Sequence, residues 1–184
     1  MTASEYLAWE REQAGKHEYF AGEIFAMAGG SPRHNALVSA VIIRLGNAFA
    51  GGHCRIFPSD QRLAPPGHDR YVYADASVVC GGIQLQPGTT DVVTNPSIVV
   101  EVLSRKTEQY DRGLKWEGYR SIPMLTDYLL MSQQAARIEH FQRQADGSWR
   151  YRVVEAGESV TLSTGVMLDV DSVFEGVFEL ASDE

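Results

Sequence analysis

The sequence predicts an α/β (α+β) domain in which a sheet is sandwiched between helices and extended by an antiparallel part at the C-terminal end. Three observations predict this class: one long amphipathic helix, several short apolar segments typical of buried strands, and a late series of strands joined by turns. A chain of 184 residues is long enough for one such domain with its own core. We divide it into a helix and hairpin at 1–30, a core at 31–132 and a meander at 133–184.

The N-terminal segment predicts a helix followed by a hairpin. Thr2 or Ser4 can cap a helix that continues to about Gly15. Segments 17–20 and 23–27, which contain aromatic and apolar residues, flank an Ala-Gly pair, and this pattern is typical of a β-hairpin.

A second helix is predicted from Ser31 to about Ala50. Ser31 is a suitable cap and is followed by proline at the first helical position. Apolar residues then recur every four positions, at Leu37, Val41, Leu45 and Phe49. This spacing places one broad apolar face of the helix against a sheet.

Thr107 can cap a further helix that ends near Arg120, and residues 83–97 are predicted to be a loop. The predicted strands share apolar or β-branched residues bounded by turn residues. They are 55–57, 60–63, 71–79, 98–103, 128–131, 137–141, 149–154 and about 160–162.

Composition excludes several classes of protein. Apolar residues make up 44% and charged residues 22%, which is ordinary for a globular chain and unlike a disordered one. No apolar run approaches the ~20 residues of a membrane span, and the N-terminus has no signal-peptide pattern. Cys54 and Cys80 are too few for a disulfide framework, so we expect a reducing, cytoplasmic setting with Cys80 as a core thiol.

Charge is distributed unevenly along the chain. The formal net charge of −8 argues against binding nucleic acid over the whole surface. However, residues 31–137 are net +2, between acidic ends of −3 and −7. This middle segment either forms a local basic surface, or its net charge of +2 arises by chance.

Two carboxylates occur in strands that are otherwise apolar. Asp75 lies in segment 71–79 and Glu101 in segment 98–103. Burying an unpaired carboxylate costs several kcal/mol, so each must be protonated, paired or metal-bound. A structural ion pair with Arg or Lys explains either residue alone. Both together favour a shared site for a hard cation such as Mg²⁺, with the neighbouring Val102 carbonyl as a further ligand.

Three more residues are candidates for the same site, and each has a structural alternative. Lys115 either forms a surface i,i+4 pair with Asp111 or lies over the end of the Glu101 strand and assists an attacking water. His34, in the first turn of the second helix, is either a polar helix-end residue or part of the site. Glu18 is either an exposed hairpin acid or a third acid of the site.

Three blocks of the sequence resemble the Uma-type restriction endonuclease family of the PD-(D/E)XK nuclease superfamily. They are residues 17–35, residues 73–79 and residues 96–104. The third block is followed at the family's spacing by four residues: Thr107, Asp111, Lys115 and Tyr119. The resemblance extends over about residues 5–160, with the blocks in the expected order.

The resemblance implies a restriction-endonuclease-like core with a mixed sheet, and it implies that Asp75 and Glu101 are metal ligands. Two positions depart from the superfamily motif: Ala74 replaces proline and Leu103 replaces the motif lysine. In a strand, residues 101 and 103 point to the same face, so that lysine would have stood beside Glu101. Lys115, which the family pattern also contains, is the candidate replacement.

The sequence therefore favours a Mg²⁺-dependent endonuclease, with Mn²⁺ as a substitute metal, that hydrolyses DNA phosphodiester bonds. Asp75, Glu101 and Val102 would hold the metal, Lys115 would assist water, and Glu18 and His34 would be outer members of the site. The alternative is a weakened or inactive nuclease-fold module that acts in nucleic-acid or protein interaction. The resemblance also implies a homodimer, because enzymes of the superfamily that cut both strands are often paired.

Overall fold

The computed structural model describes residues 1–67 and 69–182 of the chain. Its α-helices are α1 (Ala3–Glu10), α2 (Pro32–Ala48), α3 (Glu108–Tyr110), α4 (Trp116–Tyr119) and α5 (Val170–Phe174). A π-helical turn, Asp111–Lys115, joins α3 to α4, and a 3₁₀ turn lies at Val177–Glu179. None of the described helices is long and apolar enough to span a membrane.

The strands fall into two large sheets and a hairpin. The strands are β1 (His17–Phe20), β2 (Glu23–Ala26), β3 (Cys54–Pro58), β4 (Arg62–Leu63), β5 (Arg70–Tyr73), β6 (Ala76–Cys80), β7 (Val92–Val93), β8 (Ile98–Val102), β9 (Asp127–Met131), β10 (Arg137–Arg143), β11 (Trp149–Glu155), β12 (Ser159–Thr161) and β13 (Met167–Asp169). One sheet has the order β2-β1-β5-β4-β7, and the other has the order β11-β10-β9-β8-β6-β3.

The larger sheet is mixed, because β8 pairs in parallel with β9 but antiparallel with β6. Strands β10 and β11 extend this sheet in an antiparallel manner, and β12 pairs with β13 separately. The predicted class, a mixed sheet with flanking helices and a C-terminal antiparallel extension, is confirmed.

The helix α2 packs on one face of the larger sheet through Leu37, Val41 and Leu45, which are fully buried. Residues of β8 contribute to the cores on both faces of this sheet: Val100 joins the α2 side, and Val99 joins the opposite side. This explains why β8 is almost continuously apolar.

The predicted single strand over residues 71–79 is wrong. Strand β5 ends at Tyr73 in the smaller sheet, and β6 begins at Ala76 in the larger one. Apolar composition continues across the break, so the sequence pattern does not show it. The crossing places Asp75 at the junction of the two sheets.

Several boundaries also differ from the predictions. Helix α1 ends at Glu10, not near Gly15. Thr107 does not cap the following helix with its side chain, because its backbone is already helical (φ −107°, ψ −16°). Segment 83–97 contains the short strand β7, and β13 and α5 were not predicted.

Cys54 and Cys80 form a disulfide, which corrects the prediction of a core thiol at Cys80. They are directly opposite in the antiparallel pairing of β3 with β6, although they are 26 residues apart in sequence. Register, which the sequence alone does not specify, brings them together. The prediction of a reducing compartment loses the support it drew from the cysteines.

Candidate active site

Asp75 and Glu101 meet where β6 begins and β8 ends. Ala76 pairs with Val100, so continuing the antiparallel register by one residue places Asp75 opposite Glu101. The Asp75 N–H donates to Oε2 of Glu101 at 3.3 Å, and the Val102 N–H donates to Oδ2 of Asp75 at 2.7 Å. Each carboxylate is thus held by the backbone of the other's strand.

Val102 presents its backbone to the same point. In a strand, the N–H and C=O of one residue face the same neighbouring strand. Because the Val102 N–H reaches Asp75, its carbonyl faces the Asp75 side of β8 as well. The Val102 carbonyl thus lies on the side of β8 that faces Asp75, and its role as a metal ligand stays a prediction.

The Lys115 ammonium lies against Glu101, and the interpretation of Lys115 and Asp111 as a surface pair is wrong. Nζ of Lys115 lies 3.0 Å from Oε1 of Glu101 and 3.1 Å from Oε1 of Glu18. It also donates to the Tyr73 carbonyl at 3.1 Å and lies 3.6 Å from Oδ1 of Asp111. Both Lys115 and Asp111 are buried.

The π-helical turn Asp111–Lys115 positions these groups. Turns of this type are rare and frequently occur at functional sites. Lys115 and Tyr119 are four residues apart and share a helix face, and both donate to Oε1 of Glu101, Tyr119 at 2.9 Å. The Tyr119 contact was not predicted, although its spacing from Lys115 was a usable signal.

Glu18 is buried rather than exposed, so the interpretation as an exposed hairpin acid is wrong. Its Oε1 accepts the backbone N–H of Tyr73 at 3.0 Å, besides facing Lys115. Strand β1 pairs with β5, which brings its acid to the end of β5 where the chain crosses between sheets. Glu18 thus lies in the buried part of the site, next to Lys115.

His34 lies at the more open side of the site. Its Nε2 is 3.3 Å from Oδ2 of Asp75, and its backbone N–H is capped by the Ser31 hydroxyl. The side chains of His34 and Asp75 are 15% and 17% exposed, whereas those of Lys115 and Glu101 are 6% and 3% exposed. The site is therefore more accessible to solvent on its Asp75 side than on its Lys115 side.

Leu103 is buried in the apolar cluster that includes Leu63, Val99 and Tyr119. A lysine there would place its stem among these side chains. The leucine completes this core, while the cation beside Glu101 comes from the π-helical turn.

Burial and charge shift the pKa values of the site in opposite directions. Burial raises the pKa of Glu101 well above its ordinary value, with repulsion from Asp111 and Asp75 adding to the effect and Lys115 opposing it. Burial also raises the pKa of Asp111. Burial alone would raise the pKa of Asp75, but its contacts with His34 and with the Val102 N–H outweigh burial and lower this pKa below its ordinary value. The surrounding carboxylates raise the pKa of Lys115 despite its burial.

The donor set suits a hard divalent cation. Three carboxylates, from Glu18, Glu101 and Asp111, surround the Lys115 ammonium. Asp75 adds a fourth beside Glu101, so the ionised carboxylates outnumber the one ammonium. Within residues 1–67 and 69–182, no three His, Cys, Asp or Glu side chains form a complete metal cage. Mg²⁺ does not require one, because it retains several waters and uses one or two carboxylates.

The family is decided by a match over nearly the whole chain. Residues 3–176 match the family model Uma2, described as "Putative restriction endonuclease". The chain belongs to the Uma2 family.

Relatives of this Uma2 protein include two uncharacterized proteins of Synechocystis sp. One is 38% identical over 178 residues, covering 96% of this chain and 93% of the relative. The other is 36% identical over 149 residues, covering 81% and 84%. Among solved structures, a protein of Anabaena variabilis titled "putative nuclease belonging to DUF820" has the same fold, with a TM-score of 0.78, 16% identity, and coverage of 96% of this chain and 99% of that one.

Proposed function

We propose that this Uma2 protein is a Mg²⁺-dependent endonuclease that hydrolyses phosphodiester bonds of DNA. The family description and the nuclease-like fold support a nuclease in general. The observation that favours metal-dependent cleavage is the opposed pair Asp75 and Glu101, backed by a buried lysine and open to solvent on one side.

Asp75, Glu101 and the Val102 carbonyl are the proposed ligands of Mg²⁺, which Mn²⁺ can replace. When bound, such a cation activates water and offsets the charge that develops on a phosphate. The residue types fit this role, because hard cations prefer carboxylate and carbonyl oxygens.

Lys115 and Tyr119 orient Glu101 from within the core. Both donate to Oε1, which turns Oε2 towards Asp75. The positive charge of Lys115 also favours the ionised form of Glu101, which a metal ligand requires. Glu18 and Asp111 hold the ammonium in this position.

His34 acts on the open side of the site. Its Nε2 orients Asp75 and can hold or donate a proton next to an incoming phosphate.

The proposed partner is DNA. A protein that acts on cellular DNA is expected in the cytoplasm, so a cytoplasmic location is part of the proposal. A homodimer is part of the proposal, because enzymes of this superfamily that cut both strands are often paired, and light scattering tests it.

A cleavage assay tests the proposed function. Wild-type protein, Asp75→Asn and Glu101→Gln are incubated with supercoiled, linear and branched DNA and with RNA, each with Mg²⁺, Mn²⁺ or EDTA. We expect metal-dependent nicking of DNA by the wild type and none by either variant. Intact substrates in every wild-type lane, or equal cleavage by the variants, would overturn the proposal. DNA binding without cleavage would indicate the interaction module instead.

A further inference from the structure

A cavity of about 240 Å³ lies beside the candidate active site, at the ends of β8 and β9. Leu103–Arg105, which follow β8, form one wall, and Ser132–Gln134, which follow β9, form another. These two strands are parallel, and ligands of open α/β sheets bind at the carboxyl ends of parallel strands.

Three arginines line this cavity. Arg105 is exposed and makes no hydrogen bond or ion pair with any residue in the described part of the chain. Arg112 and Arg137 are 36% and 41% exposed at their side chains. Glu108 and Glu139 also line the cavity, so its ionised side chains sum to a charge of +1 when all are charged.

Glu139 fixes two of these arginines instead of presenting its own charge. Its side chain is 5% exposed and accepts from both Arg112 and Arg137 and from the Tyr151 hydroxyl at 2.9 Å. Arg137 uses only Nη2 for this contact, at 3.1 Å, and its side chain is otherwise 41% exposed, although its Nε is buried. Donors of a preoriented guanidinium therefore remain for a ligand.

Gln133 connects the cavity to the active site. Its side chain donates to the Leu103 carbonyl at 2.9 Å and accepts from the Ser31 hydroxyl at 3.0 Å, and Ser31 caps the helix turn that bears His34. Leu103 and Ser104 are two and three residues beyond Glu101. At about 3.3 Å per residue, Leu103 and Ser104 lie roughly 7–10 Å along the chain from Glu101.

We infer that this arginine cavity binds a phosphate of the nucleic-acid strand that neighbours the phosphate being cleaved. Guanidinium groups bind phosphate oxygens in a bidentate manner, which suits the donors that remain on Arg105 and Arg137. Successive phosphates of one strand are separated by more than their rise of about 3.4 Å along the helix axis, because the strand winds around that axis. A separation of roughly 7–10 Å therefore suits a phosphate next to the one being cleaved. The inference rests on the proposed function, because it places a second part of the same substrate.

Binding of fluorescein-labelled duplex DNA, measured by anisotropy without metal and across a salt titration, tests the inference. Arg105→Gln and Arg137→Gln should each raise Kd roughly tenfold, and the double variant should lower the slope of log K against log salt by about 0.9 for each lost phosphate contact. Arg137→Lys, which keeps the charge but not the planar fork, should recover only part of the affinity. Arg152→Gln is the matched control, an exposed arginine on the face of β11 opposite to Tyr151.

Unchanged Kd and salt slope in the double variant, or no DNA binding by the wild type, would overturn the inference. Arginine-dependent binding by a wild type that never cleaves DNA would contradict the proposed function while supporting the cavity. Normal cleavage of DNA, with binding that does not depend on these arginines, would support the proposed function and contradict the inference about the cavity. Duplexes with 5′-phosphate or 5′-hydroxyl ends and a closed circle as competitor distinguish a terminal phosphate from an internal one.

Discussion

The Lys115 ammonium lies 3.0 Å from Oε1 of Glu101, although the two residues are on different elements and 14 positions apart. Leu103 occupies the position at which the superfamily motif has its lysine, and its side chain is part of the core. The helix that follows β8 therefore supplies the cation that β8 does not.

Removing this ammonium should destabilise the protein and slow any cleavage. Lys115→Met leaves Glu18, Glu101 and Asp111 without their shared counter-charge, so we expect a loss of about 3–5 kcal/mol in the free energy of unfolding. Under conditions where the variant is folded, the cleavage rate should fall roughly 10²-fold or more. Urea unfolding and plasmid nicking measure the two effects.

The control for this prediction is Lys106→Met, which changes an exposed lysine on the same connection and should alter stability by less than about 0.5 kcal/mol. Adding Glu18→Gln to Lys115→Met should restore part of the loss, because one uncompensated carboxylate is removed. A Lys115→Met protein as stable as the wild type would argue against a buried charge network.

Glu101 should make the metal-free protein less stable as pH rises. Burial is the main reason why the pKa of Glu101 in the folded protein is raised above 4.5. Its favourable contribution to the free energy of unfolding is therefore complete below pH 4.5 and is lost as pH rises through the folded-state pKa. Glu101→Gln lacks this titration. The stability of the variant relative to the wild type should therefore increase between pH 5 and 8, as measured by urea unfolding in EDTA.

Glu117→Gln, at an exposed position of α4, should follow the wild-type pH profile. If the wild type instead gains stability over Glu101→Gln as pH rises, the pairing with Lys115 outweighs burial. Glu101 would then be a structural ion-pair residue.

The network around Glu139 should weaken in acid. Hydrogen bonds from Arg112 lower the pKa of Glu139, so its contribution is present above pH 4.5 and is lost as pH falls through the folded pKa. Glu139→Gln should cost about 1 kcal/mol at pH 7, a modest value because Arg112 is partly exposed, and the cost should vanish towards pH 3. Thermal unfolding measures it, and an equal cost at both pH values would contradict this assignment.

The Cys54–Cys80 disulfide should stabilise the fold by restricting the unfolded chain. A closed loop of this length corresponds to about 3–4 kcal/mol. We expect dithiothreitol to lower the free energy of unfolding of the wild type by this amount and to leave Cys54→Ser/Cys80→Ser unchanged. A wild type insensitive to the reductant under unfolding conditions would contradict the prediction.

The fold class and the choice of Asp75 and Glu101 as site residues follow from local patterns in the sequence, whereas their meeting depends on the pairing of β6 with β8. Apolar periodicity identifies α2 and β8, and one acid in each of two apolar segments, Glu101 within β8 and Asp75 just before β6, marks the site. The burial of Glu18 was not predictable from its hairpin, because it depends on the pairing of β1 with β5. Likewise, the break at Asp75 and the disulfide depend on sheet assignment and register, which are properties of the whole fold.

The contacts that form the arginine cavity also could not be predicted from the sequence. Arg112 and Glu139 are 27 residues apart and meet only when the helical segment packs against β10. The charge balance of segment 31–137 left open whether the chain has a basic surface, and it gave no location for one. By contrast, the i,i+4 spacing of Lys115 and Tyr119 was visible, and their shared contact with Glu101 follows from it.

The central claim is that Asp75 and Glu101 together hold one divalent cation. A crystal soaked in Mn²⁺, with data collected at the manganese absorption edge, tests it most directly. We expect one anomalous peak about 2.0–2.6 Å from carboxylate oxygens of both residues, and no such peak in Glu101→Gln crystals treated identically. If manganese is absent from the site in the wild type, or is bound to only one of the two carboxylates, Asp75 and Glu101 do not form a shared metal site.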